Sequence, residues 1–310
     1  MILTVTLNPS IDISYFVDTF QLDAVNRTEL VTKTAGGKGL NVTRVLQQLN
    51  VSVKATGFLG GYTGERVKEG LNQMGIQHSF SPIKEETRNC IAILSENRQT
   101  EILEAGPKIT EKEIAAFLEH FHSLLKTSDL ITISGSLPKD FPADFYQILL
   151  EQATLEKCPV LLDTSGKSLY HALSGKFKPY LIKPNHHEIA ELLNKKASKT
   201  IDSLITDLKN PLFDEVEYIV VTLGADGALL KHGTSYYRAR LPKITPISPV
   251  GSGDASLAGM AAAIQQKKTI TDILKTGMTT GILNTLETQT GTINVKNFDS
   301  FFDQMIIDQI

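Results

Sequence analysis

Short runs of β-branched and aliphatic residues alternate with longer segments whose apolar residues recur every three to four positions, along most of the chain. Residues 2–7 and 51–58 read as strands. Residues 40–49 read as a helix with Leu40, Val42, Val45, Leu46 and Leu49 turned inward, and residues 63–74 as a second helix. Leu130–Ser134, Val160–Asp163 and Tyr218–Thr222 are compact apolar runs ending in polar residues, with helical patterns between them. Strands that are apolar throughout must be covered on both faces, so this order predicts a mainly parallel sheet flanked by helices. At 310 residues such a chain forms one large α/β unit, spanning residues 1–310, rather than two equal domains.

Two stretches break the alternation. Residues 12–33 and 87–103 carry strand-like alternation with no helix between paired runs, and Ser95-Glu96-Asn97-Arg98-Gln99 is a plausible hairpin turn. They read as a small inserted sheet, with extra edge strands of the main sheet as the alternative. Composition narrows the function classes. With 41% hydrophobic and 21% charged residues the chain is globular. A formal net charge of −3 gives no general attraction for nucleic acid or anionic membranes. No 18-residue apolar run occurs, and the strand-like N-terminus lacks the basic flank of a signal peptide, so a cytoplasmic protein is expected. The two cysteines, Cys90 and Cys158, read as buried, reduced thiols.

The chemistry concentrates in glycine-rich segments. Neither of two phosphate signatures fits. Gly166-Lys167-Ser168 has Leu161, and Gly37-Lys38 has Thr32, where a P-loop needs its first glycine, and no dinucleotide fingerprint follows the first strand. Gly251-Ser252-Gly253-Asp254 instead leads into a small-residue helical run. Glycines there let backbone N–H groups face an anion at a helix N-terminus, and a carboxylate beside them can take a proton from an attacking hydroxyl. An ordinary Asp cap after a glycine turn reads equally well from this segment alone. A second glycine cluster, Gly36-Gly37-Lys38-Gly39, opens another helix, with Lys38 and Asn41 suited to phosphate or sugar hydroxyls. Asp12, just past the first strand, can accept from two sugar hydroxyls at once. The paired His186 and His187 point in different directions on a helix and lack a third ligand, which disfavours zinc. His120 and His122 read as surface residues.

Together these pieces resemble the PfkB (ribokinase-like) carbohydrate kinase family. The resemblance rests on Gly36-Gly37-Lys38-Gly39-Leu40-Asn41, Gly251-Ser252-Gly253-Asp254, Ile133-Ser134-Gly135-Ser136-Leu137-Pro138, Lys183-Pro184-Asn185-His186-His187-Glu188 and Thr222-Leu223-Gly224-Ala225-Asp226-Gly227-Ala228. It implies a three-layer α/β fold with a small β-sheet lid, ATP and Mg²⁺ as cofactors, and a homodimer through the lid. Asp254 would be the catalytic base, and Gly251, Ser252 and Gly253 the anion hole. Asp12, Gly37 and Asn41 would hold the sugar, with Arg27, Lys38, Arg88 and Ser136 on its phosphate. Lys183, Asn185, Thr222, Gly224, Gly227 and Asn284 would line the nucleotide site, Asn185 and Glu188 organising magnesium through water. Asn8-Pro9-Ser10-Ile11-Asp12 and Arg88 resemble the branch acting on phosphorylated hexoses. That branch implies a ketohexose 6-phosphate attacked at C1, most closely tagatose 6-phosphate, with fructose 1-phosphate as the rival. A sugar-phosphate-binding regulator and a dinucleotide-dependent oxidoreductase are the readings from other classes, the first opposed by the intact Asp254 and Asn185/Glu188 motifs and the second by the missing fingerprint.

Overall fold

A computed structural model describes residues 1–96 and 98–310. In chain order its strands are β1 (Ile2–Thr6), β2 (Ser10–Phe16), β3 (Leu30–Gly36), β4 (Val53–Gly60), β5 (Gln77–His78), β6 (Ser81–Ile83), β7 (Arg88–Ser95), β8 (Arg98–Leu103), β9 (Leu130–Ser134), β10 (Val160–Asp163), β11 (Leu181–Ile182), β12 (Tyr218–Thr222), β13 (Ala228–His232), β14 (Ser235–Arg240) and β15 (Ile306–Gln309). The α-helices are α1 (Lys38–Gln48), α2 (Gly61–Gln73), α3 (Glu111–Leu125), α4 (Phe145–Leu155), α5 (Gly166–Ser174), α6 (His186–Leu192), α7 (Ile201–Asp207), α8 (Ser252–Gln265), α9 (Ile270–Thr285) and α10 (Phe298–Gln304).

The large sheet runs β15-β14-β13-β12-β11-β10-β9-β1-β4-β5, and β6 pairs with the later part of β4. From β12 through β4 and its partners every pairing is parallel, whereas β12 to β15 form an antiparallel edge that the sequence reading did not foresee. Alternation along each central strand feeds two cores. Leu3, Val5, Ile131, Ile133, Leu162 and Ile219 face α3 to α7, while Ile2, Leu130, Leu161 and Val220 face α1, α8 and α9. Both layers are needed because each strand is apolar on both sides. Helix α1 is buried from Gly39 to Leu46, including Leu40, Val42, Val45 and Leu46, and only Leu49 at its end is half-buried.

The two irregular stretches form a separate four-stranded sheet, β3-β2-β7-β8, rather than an edge of the main one. Strand β2 pairs in parallel with β7, and their antiparallel partners β3 and β8 lie outside them. Ile11 and Ala35 root this sheet onto Leu40, Leu59, Val67 and Leu71. The expected turn after β7 includes Asn97, which lies outside the described residues. Cys158 is buried as expected; Cys90, on the small sheet, is only half-buried, because that sheet lies outside the main cores.

Chain reversal at the carboxyl ends of the parallel strands puts their following loops on one rim. On that rim β1 has β4 on one side and β9 on the other, the topological switch where open α/β sheets form crevices. Beneath it, Phe58 packs on Phe117 with ring centroids 4.6 Å apart. Phe117→Ala should destabilise the protein by about 3–5 kcal/mol, read as a lower urea midpoint with unchanged slope.

Candidate active site

Two helix N-termini converge on the rim, and neither has a side-chain cap. Helix α1 begins after Gly37 and α8 after Gly251, so their first N–H groups are left without the usual side-chain acceptor. Gly251 takes φ 83°, a left-handed turn that favours glycine. A Cβ on Gly253 would stand 3.1 Å from Lys183 Nζ, so the lysine ammonium lies directly beside the α8 amides. Amides, helix dipole and ammonium together make an anion-binding corner. The Ser252 hydroxyl is used locally, donating to the Pro249 carbonyl at 2.8 Å.

Asp254 sits in the first turn of α8 and is 5% exposed. Its Oδ2 accepts from Asn41 Nδ2 of α1 at 2.7 Å, joining the two helix starts across 213 residues of chain. Burial, reinforced by the nearby Asp163 carboxylate, pushes its pKa up to about 6, against the pull of Lys38, Asn41 and Lys183. Asp163, at the end of β10, is buried and pairs with Lys183 at 3.3 Å. Burial alone would push its carboxyl up, but the ammoniums of Lys183 and Lys38 outweigh that and hold it below the ordinary carboxylate range. Lys38 stays exposed at the rim; Asp163 most of all, then Asp254 and Glu188, raise its pKa against the opposing effect of desolvation. The corner therefore gathers the Lys38 and Lys183 side chains around one firm carboxylate, Asp163, and one carboxylate near neutrality, Asp254.

Asn185 and Glu188 close the start of α6 as a capping box: Asn185 Oδ1 accepts from the His187 and Glu188 amides, and Glu188 Oε2 from the Asn185 amide at 2.8 Å. Burial, and to a lesser degree Asp163, raises the Glu188 pKa against the backbone hydrogen bond. A carboxyl that is destabilised by a second carboxylate suits a hydrated divalent cation, so Glu188 fits magnesium held through water. Asn185 fits less well, because its side-chain oxygen is already committed to the cap. No group of three or more His, Cys, Asp or Glu among the described residues forms a direct metal cage.

The small sheet brings up Asp12 and Arg88. Asp12 accepts from Ser10 Oγ at 2.6 Å and lies where a Cβ on Gly36 would stand, and burial raises its pKa. Arg88 spends three donors on the carbonyls of Asn8 and Glu104, tying the loop after β1 to the small sheet. Ser136, exposed in the loop after β9, lies 3.4 Å from Asn8 Nδ2. Thr222 bridges to Asn185, and Gly224 is open on its side-chain face.

Arg27 and Asn284 are placed otherwise, and Gly227 has a packing role of its own. Arg27 is exposed and lines a cavity of about 1170 Å³ between the small sheet and residues 247–250, which none of Asp12, Lys38, Asn41 or Asp254 lines. Gly227 is required by packing, since a Cβ there would stand 2.0 Å from the Ala239 carbonyl of β14. Asn284, 1% exposed, is enclosed behind the α8 turn: its Nδ2 donates to the Thr292 carbonyl and its Oδ1 faces Gly251. His120 likewise reaches Ser79 instead of projecting freely. Two residues of the site carried no local signal. Asp163 read only as the polar end of a strand, and Arg44, buried beside Asn41, as a helix position.

Comparison with known proteins accounts for this geometry. The profile of the pfkB family carbohydrate kinases matches residues 5–297, and the chain belongs to that family. A Staphylococcus aureus protein provisionally assigned as a phosphofructokinase is 28% identical, with all of this chain and 99% of that one aligned at TM-score 0.86. A Thermotoga maritima protein provisionally assigned as a 1-phosphofructokinase is 26% identical over the same shares at 0.88. Phosphofructokinase-2 from Escherichia coli, in complex with potassium, is 24% identical over 98% of each chain at 0.91. The fold is ribokinase-like, and the protein is a carbohydrate kinase of the PfkB family.

Because the folded pKa of Asp254 lies above its ordinary value of 3.8, its ionised form opposes folding. That penalty is absent below pH 4, grows as the pH rises and is complete above about 6. A shift of roughly two units corresponds to about 3 kcal/mol. Asp254→Asn should therefore raise Tm at pH 8 by several degrees and much less at pH 4.5, measured by calorimetry at both values.

Proposed function

We propose that the protein transfers the γ-phosphoryl group of ATP to the C1 hydroxyl of a ketohexose 6-phosphate, D-tagatose 6-phosphate being the best match. Asp254 carries this reading: a buried carboxylate with a pKa near 6 is mostly ionised at neutral pH and still basic enough to accept a hydroxyl proton. The C1 oxygen attacks the γ-phosphorus, its proton passes to Asp254, and the bond from the γ-phosphorus to the bridging oxygen of ADP breaks. Charge on the transferring group meets the α8 amides around Gly251 and Gly253 and the Lys183 ammonium, fixed donors that need no reorganisation. Magnesium, held through water by Glu188, would neutralise the β- and γ-phosphates. Asp12, Gly37 and Asn41 hold the sugar in this scheme, and Lys38 and Arg88, with Ser136, its phosphate. Thr222 and Gly224 border the nucleotide.

The small sheet, built from residues about 12–33 and 87–103, acts as a lid that excludes water when sugar binds. Leu30, Val31, Ile102 and Leu103 on its outer strands β3 and β8 are exposed apolar residues, which supports a homodimer formed lid to lid. Among the described residues no helix is long and apolar enough to cross a membrane, in keeping with a cytoplasmic kinase. Fructose 1-phosphate, attacked at C6, is a second reading, favoured by the likeness to the Thermotoga maritima protein.

Side-by-side kcat/KM with MgATP for tagatose 6-phosphate, fructose 6-phosphate and fructose 1-phosphate tests the acceptor. A preference for tagatose 6-phosphate is expected; a preference for fructose 1-phosphate moves the assignment to the second reading. Asp254→Asn should lower kcat by about 10²–10⁴-fold with little change in ATP affinity, and near-normal turnover would remove Asp254 as the base.

A further inference from the structure

Arg44 on α1 is 3% exposed, yet among the described residues its guanidinium is not paired with a carboxylate. It donates through Nη1 to the Ala35 carbonyl of the lid strand β3, and through Nη2 to Asn41 Oδ1 and, at 2.9 Å, to the Thr290 carbonyl. A guanidinium has only donors, so the Asn41 amide must turn its oxygen toward Arg44 and its nitrogen toward Asp254. That is the orientation in which Asn41 donates to the Asp254 carboxylate. A flipped amide would instead set an oxygen against that carboxylate. The third partner reaches the anion corner from behind: a Cβ on Gly251 would lie 3.1 Å from Thr290 Cβ and 3.4 Å from the Gly291 nitrogen.

From these contacts we infer that Arg44 is a positioning residue, which locks the Asn41 amide onto Asp254 and couples the base and the Gly251 turn to the end of lid strand β3. Its position on α1, packed against α8, places it between the lid root and the catalytic helix. Asp12 and Asp254 are the acidic groups whose charge acts on it. The charged groups around Asp254 are Lys38 on α1, Asp163 on β10 and Lys183 after β11. None of them is altered when Arg44 alone is replaced. Closure of the lid at Ala35 and alignment of the base thus share one side chain. The inference rests on the kinase reading and on Asp254 as base.

The test compares wild type with Arg44→Met, Arg44→Gln and Arg44→Lys in full-length protein. It uses kcat and KM for sugar phosphate and ATP, the pH dependence of kcat, and Tm. Arg44→Met should lower kcat at pH 7 by about 10–100-fold, the scale of a misplaced catalytic group. It should move the acid limb of kcat upward by roughly one unit and leave KM for ATP within twofold. Arg44→Lys, which keeps the charge and one donor toward Asn41, should recover part of both effects. Arg44→Gln replaces Arg44→Met if the latter does not fold, and should show the same limb shift. A folded uncharged variant whose acid limb coincides with wild type overturns the inference, whatever its Tm, because a purely structural role lowers Tm alone. Failure of the base reading is separable: there Asp254→Asn itself keeps its turnover.

Discussion

The hydrogen bond from Asn41 to Asp254 holds the site together. It joins the starts of α1 and α8, two helices that enter the rim from opposite ends of the chain, and both of its partners are buried. Everything around it follows from the need to keep a carboxylate buried there. Burial, and then Asp163, would drive Asp254 toward protonation; Lys38 and Lys183 oppose this, and Asp163 itself is held ionised by the same two lysines. The result is a graded set of charges in one crevice: two lysines, an ionised Asp163 and one carboxylate balanced near neutrality. Burial of this kind costs stability, a common trade where a site needs an unsettled group.

The uncapped helix ends belong to the same logic. Some helices close their N-termini with a side chain, as α3 does with Thr110 and Glu113, α6 with Asn185 and Glu188, and α9 with Thr269. Helices α1 and α8 begin instead at glycines, leaving their amides open and their backbones accessible. Both open at the carboxyl edge of the sheet, so the two free dipole ends face one crevice. The small sheet roots in the same place, packing Ile11 and Ala35 against Leu40 of α1.

Much of this was legible in the residues. Strand-helix alternation predicts the sheet because double-sided burial writes an apolar run, and both stretches lacking that alternation formed the separate sheet. Glycine clusters marked the two open helix starts, since close approach to an anion leaves a local trace. Glycine is also ambiguous: Gly227 carries the same mark for a different reason, the approach of the β14 backbone. Asp163 and Arg44 were hidden because their importance lies in partners far along the chain, Lys183 for one and Thr290 for the other. Asn284 and Arg27 show the converse. A polar residue expected at a site can end up behind it or in a separate cavity, and only packing decides which.

The balanced carboxylate is the centre of the account, and it can be observed without substrates. Carbon-13 NMR of protein labelled at aspartate side-chain carboxyls, with Asp254→Asn used to assign the resonance, gives the midpoint of Asp254 directly. A midpoint near pH 6 is expected. A midpoint in the ordinary aspartate range, about 4, would contradict the arrangement of charges described for the crevice.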